Sequence, residues 1–108
     1  MKATFWQRGE TLDYRNNTDA VIEENTVVAI GTRIGITGTY INPGELGSLH
    51  VCGIYEMPKK DETAIALGAA VYFDGTGITA TAEGNTPAGY AAAAATDTDT
   101  TILVKLLG

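Results

Sequence analysis

Apolar and polar positions along this chain alternate in short runs, and no run holds a 3.6-residue period long enough to form a capped helix. The alternation predicts strands. Residues 11–14 put Leu12 and Tyr14 on one face, because strand side chains alternate with period two. Turn chemistry at 16–19 separates them from the short apolar run 20–22. Asn25 and Thr26 then precede the β-branched run Val27–Ile30, which stops at Gly31. Gly31, Gly35 and Gly38 punctuate 32–40, as expected of bulges or tight bends in a closed or strongly curved sheet. At 42–45, Pro43 fixes φ and Gly44 supplies a positive φ, which is the clearest turn in the chain.

The longest predicted strand covers 46–57. Ser48, His50, Cys52 and Ile54 face one way and Leu49, Val51, Gly53 and Tyr55 the other, until a solvated charge cluster at 58–62 breaks it. Residues 70–73 and 78–82 form a hairpin through Asp74-Gly75-Thr76-Gly77. The five alanines at 91–95 favour helix by propensity, but they fall short of the roughly 12–15 residues an isolated helix needs, so 89–95 is read as strand. Thr101–Leu106 is the last strand. The fold expected is all-β with negligible helix. It is a single domain over 1–108, a small β-sandwich or a short β-barrel, with an extended N-terminal arm at 1–10.

Length and composition agree with this. The 108 residues suffice for one domain, and 44% hydrophobic residues can build a core. The net charge of −6, with seven Lys and Arg scattered along the chain, offers no basic stripe for nucleic acid or an anionic membrane. Such acidity suits an abundant, closely packed protein or one with a basic partner. The single Cys52 cannot form an internal disulfide. The first residues lack the apolar core of a signal peptide, and no run approaches the roughly 20 apolar residues of a membrane-spanning helix. The expectation is a soluble chain made in the cytoplasm.

No catalytic apparatus emerges. Ser48 and His50, the only serine and the only histidine, share a strand face. The glycines of a nucleophile elbow are missing, and no acid is placed to orient the histidine. His50 and Cys52 give two metal ligands at most, where zinc needs three or four. Asp97 and Asp99 among threonines lack the glycine and distal glutamate of a calcium loop, so a solvated turn is expected. There is no phosphate-cradling lysine loop. The residues therefore predict no enzyme, no metal and no cofactor. Phe5 and Trp6 stand apart. Adjacent on an extended segment, they point to opposite sides and cannot both enter one core. Either one packs while the other lies on the surface, or the arm anchors to another subunit.

The ordered pattern of the whole chain resembles the small phage capsid cement, or head-decoration, proteins, a family often labelled as phage recombinases. The resemblance runs through Phe5-Trp6-Gln7-x-Gly9-Glu10-x-Leu12-x-Tyr14 and Gly31-x-x-x-Gly35-Ile36-Thr37. It continues in Gly44-Glu45-x-Gly47-x-Leu49-x-Val51-x-Gly53-Ile54-Tyr55-Glu56-Met57-Pro58-Lys59 and Gly68-Ala69-x-Val71-Tyr72-Phe73-Asp74. Gly84-Asn85-Thr86-x-x-Gly89-Tyr90-Ala91 and Ile102-x-Val104-x-Leu106 complete it. Two positions depart from the pattern: Asn25-Thr26 replaces the family's usual Gly-Asp turn, and Phe73 replaces a common Trp. Both are structural substitutions. The recombinase label conflicts with the absence of an ATP-binding motif.

The resemblance implies a structural protein of the virion, bound to the outer surface of the major capsid protein lattice, self-associated as a homotrimer there, and free of nucleic acid and membrane. The expected capsid or subunit interface comprises Phe5, Trp6, Arg8 and Tyr14, with Lys2 and Arg8 making the arm positive on an acidic chain. The rival reading is a small β-barrel module for carbohydrate or another small ligand, with Tyr14, Tyr40, Tyr55, Tyr72 and Tyr90 lining a cleft.

Overall fold

The computed structural model describes residues 1–107, and among them there is no helix. Nine strands form two antiparallel sheets, β1 (Thr11–Arg15), β2 (Val27–Ile30), β3 (Arg33–Thr37), β4 (Leu46–His50), β5 (Ile54–Pro58), β6 (Ala70–Phe73), β7 (Ile78–Thr79), β8 (Thr86–Ala91) and β9 (Thr101–Leu106). The first sheet has the order β1-β4-β3-β2 and the second β5-β9-β8-β6-β7. The arrangement is an all-β sandwich, the first of the two expected architectures.

Period-two alternation fills the space between the sheets. Ile102, Val104 and Leu106 of β9 point inward and are buried, while Thr101 and Leu103 are exposed and Lys105 is half-buried. Met57, Val71, Ile78, Ala88 and Ala91 join them from the second sheet, and Ile34 and Ile36 of β3 close the core from the first. Leu49 of β4 is buried elsewhere on the first sheet, and Ile41, bridged to Ile22 ahead of β4, is also buried. Space for them comes from Gly35 and Gly47, where an added Cβ would collide with the Leu49 and Ile41 side chains.

The predicted strand over 46–57 is corrected. It is two strands in different sheets, because Gly53 has φ 111°, a conformation no regular strand of L residues adopts. The parity survives the break, with Leu49 and Met57 both buried. The charge cluster after it is also corrected. Lys59 is only 7% exposed; its backbone bridges Ile78, and its Nζ donates to the Asp61 carbonyl. Asp61 in turn accepts from Thr79 Oγ1 and the Ala80 N–H, so Lys59 and Asp61 pin this segment to β7, while Pro58, Lys60 and Glu62 are exposed as expected. The strand expected over 89–95 begins earlier, at Thr86, and ends at Ala91, beyond which the Ala92 N–H donates to the Leu103 carbonyl and Ala95 pairs with Ile65. The run 20–22 contributes one bridge, Ile22 to Ile41.

One local device recurs. A bridge residue, a tight turn and a strand follow one another at Ile22 into β2, Ile41 into β4, Ile65 into β6 and Ala95 into β9. The bridge residues pair with each other through two hydrogen bonds each, Ile22 with Ile41 at 3.0 and 2.9 Å and Ile65 with Ala95 at 2.9 and 2.8 Å. Gly44 (φ 82°) and Gly68 (φ 85°) occupy the left-handed turn position, and the backbone closes behind them, Glu45 N–H to Asn42 and Ala69 N–H to Ala66. In the turn before β2 that position is held by Asn25, with φ 62°. Asparagine tolerates this region better than other non-glycine residues. Asn25 therefore closes the turn, and Val27 pairs with Ile36 in an unbroken register.

The expected hairpin at 74–77 is present, but its second strand, expected over 78–82, ends at Thr79. The Asp74 N–H donates to the Gly77 carbonyl, and the Asp74 carboxylate accepts from the Thr76 N–H, the Gly77 N–H and the Thr76 hydroxyl.

Candidate interaction surface

Residues 1–9 carry no strand, and residues 1–10 are all exposed. Phe5 is 83% exposed and Trp6 87%, so neither ring enters the core of its own domain. Of the two alternatives, the one in which a ring packs into its own core is not met. The arm leaves the body at Glu10, whose carbonyl accepts the Val51 N–H at 3.1 Å, and Gln7 donates from its amide to the Thr11 carbonyl at 3.3 Å. It runs directly into β1, an edge strand of the first sheet with one side of its backbone unpaired. Lys2 and Arg8 place positive charge on this exposed segment.

Of the four expected interface residues, Phe5, Trp6 and Arg8 share the exposed arm. Tyr14 lies apart from them on β1, half-buried opposite Gly47 of β4. Next to it the Arg15 guanidinium donates to the Gly44 carbonyl, so this part of β1 is bound into the sheet.

A feature not anticipated from the sequence lies at the root of the arm. A hollow of about 130 Å³ is lined by Leu12, Ile30, Arg33, Ile34, Val51 and Leu107. A second, of about 240 Å³, shares Arg33, Ile34 and Leu107 with it and adds Thr32, Pro87 and Ala88. Together they form a groove where residues of β1, β2 and β3 and Val51 after β4 meet β8 and Leu107 after β9. Leu12 and Leu107 stand 40% and 50% exposed on its rim, and Arg33 Nη1 donates to the Leu107 carbonyl at 3.1 Å. The pairing of Leu12 with Tyr14 by parity was the one legible trace of it, because an apolar residue on an edge strand needs something to cover it.

The remaining chemistry is structural. No hydrogen bond among the described residues joins Ser48 to His50, and the His50 ring packs over Gly38, its Nε2 2.9 Å from where a Cβ there would stand. Thr96 N–H donates to the Asp99 carboxylate, and Asp99 N–H to the Thr96 carbonyl, which makes the Asp-Thr segment a self-contained turn. Among the described residues no three His, Cys, Asp or Glu side chains gather as metal ligands. The five tyrosines are dispersed over β1, β5, β6, β8 and the turn before β4, and none lines the hollows described above.

A search of the curated proteins and a search of the solved structures find no match. A scan against protein-family models finds one, described as phage cement protein, over residues 6–106. The match starts at Trp6, takes in every strand of both sheets and stops at Leu106, the last residue of β9. A model of a structural family thus spans an all-β body without an assembled catalytic group, and the chain belongs to the phage cement protein family.

Proposed function

We propose that this chain binds the outer surface of the assembled major capsid lattice and stabilises it, acting without catalysis, with the N-terminal arm as its anchor. Membership of the cement family supports association with capsid proteins. The observation that carries the role of the arm is the pair of bare rings, Phe5 and Trp6, on a segment that contributes nothing to its own core. Aromatic side chains of this size are the residue types that dominate interface energies when buried. The trimeric state on the shell rests on the resemblance to decoration proteins. The net charge of −6 supports a role away from nucleic acid and anionic membrane, and synthesis in the host cytoplasm goes with it.

The physics is mass action. A protein that binds assembled shell but not free subunits stabilises the shell by RT ln(1 + [L]/Kd) at each site, about 2.7 kcal/mol when its concentration is a hundredfold above Kd. Repetition over a lattice makes modest sites sufficient. The test is Trp6→Ala. Loss of a buried interface aromatic costs about 2 kcal/mol or more, roughly a 30-fold loss of affinity. The variant is expected to melt like the wild type and to be retained poorly on purified capsids. Wild-type melting combined with wild-type saturation of capsids would remove the arm from the interface.

A further inference from the structure

We propose that the groove bounded by Leu12, Ile30, Ile34, Val51 and Leu107 is the seat for Trp6 of a second copy of this chain. The inference rests on the arm being an anchor and names what it anchors to. Two independent observations meet here: an exposed indole with no place in its own domain, and an open apolar hollow of about 130 Å³ on the same molecule. The lining is five aliphatic side chains and one cation, with no carboxylate. It therefore offers nothing to Lys2 or Arg8 and suits a ring. Arg33, tethered through its Nη1 to the Leu107 carbonyl, holds a guanidinium at the rim, where it would lie against an aromatic face as a cation–π partner.

The contact runs one way, from the arm of one copy to the groove of the next. Such a heterologous contact closes into a ring when the rotation permits, and the arm root at Glu10 beside Val51 puts donor and acceptor at one edge of the body. In the single chain the ring stays in solvent while the groove stays open, so the second copy supplies what each lacks.

Trp6 is the only tryptophan, which makes its emission a direct reporter. The wild-type chain is expected to show a blue shift of Trp6 emission as its concentration rises to the millimolar range, in step with an increase in sedimentation coefficient. Two groove variants, Leu12→Glu and Leu107→Glu, alter half-exposed rim residues and are expected to melt cooperatively and lose the shift. The decisive titration adds Trp6→Ala, which has an intact groove and no tryptophan, to Leu12→Glu, which has an intact arm. Trp6 emission of the latter should move to the blue. A wild-type emission that is already blue and independent of concentration would mean that the ring seats in its own groove, and would overturn the proposal. So would the absence of any shift in the wild-type series and in the mixture. Should that absence accompany poor capsid retention of Trp6→Ala, the arm remains an anchor whose acceptor is the capsid.

Discussion

Asn16 is fully buried and ties the 16–20 turn to the 41–45 turn. Its amide nitrogen donates to the Ala20 and Ile41 carbonyls at 2.7 and 2.8 Å, and its oxygen accepts from the Thr18 N–H and hydroxyl at 2.9 and 2.6 Å. Its backbone binds Glu45 and Gly44. Replacing it with alanine strands buried polar groups, each costing about 1–3 kcal/mol. Asn16→Ala is expected to lose about 3 kcal/mol in urea unfolding, and a loss below about 1 kcal/mol would contradict the assignment. Asn25 makes the complementary case, since its role is its φ of 62°. Asn25→Gly is expected to change stability by no more than about 0.5 kcal/mol, as relief of backbone strain offsets the added freedom of the unfolded chain. Asn25→Ala should cost about 1 kcal/mol, the penalty of the left-handed region for an ordinary residue. Equal stability of all three would show that the turn does not need that conformation. In the sequence both asparagines read simply as turn residues. Turn chemistry is local and visible, whereas burial of Asn16 depends on Ile41 and Glu45, 25 and more positions away, and is not.

The strands were legible wherever a short apolar or β-branched run, or alternation, lay between unambiguous turns, as in Val27–Ile30, Ala70–Phe73 and Thr101–Leu106. The misreading of 46–57 as one element has a specific cause. Parity is the same on both sides of Gly53, so the pattern alone cannot reveal that the chain changes sheet there. Lys59 escaped for a similar reason, because a lysine after a proline reads as solvent-facing unless its packing against β7 is known. At the 74–77 hairpin the pattern and the structure agree, and the site makes a pH prediction. Hydrogen bonds from the Thr76 and Gly77 backbone N–H groups, and then from the Thr76 hydroxyl, hold the Asp74 carboxyl below the usual aspartate range. The folded state thus binds fewer protons than the unfolded one through that window. The stabilisation is present above the ordinary aspartate value and is lost as pH falls toward the lowered folded value. Asp74→Ala is expected to be less stable than wild type at neutral pH and to converge with it in acid. A gap between them that persists unchanged into acid would contradict this.

At the scale of the whole molecule, the all-β class followed from the sequence, while the partition of nine strands into a four-stranded and a five-stranded sheet did not. That partition is set by pairings between distant segments, such as β5 with β9 and β1 with β4, and nothing in a local pattern encodes them. The groove at the root of the arm is hidden for the same reason, since Leu12, Ile34 and Leu107 meet only when both sheets are in place. Phe5 and Trp6 stood out in the sequence because two adjacent large rings on one extended segment cannot share a core, and both are bare. The central claim is that this body recognises the assembled lattice and not the free capsid subunit, since only that difference stabilises a shell. The direct measurement is co-sedimentation of the purified chain with capsids of its own phage, beside gel filtration with the unassembled major capsid protein, followed by heating of the decorated and bare shells. The account predicts saturable retention on capsids, no complex with free subunits, and a higher disruption temperature for decorated shells. Equal binding to free subunits, or decorated shells that open at the temperature of bare ones, would contradict it.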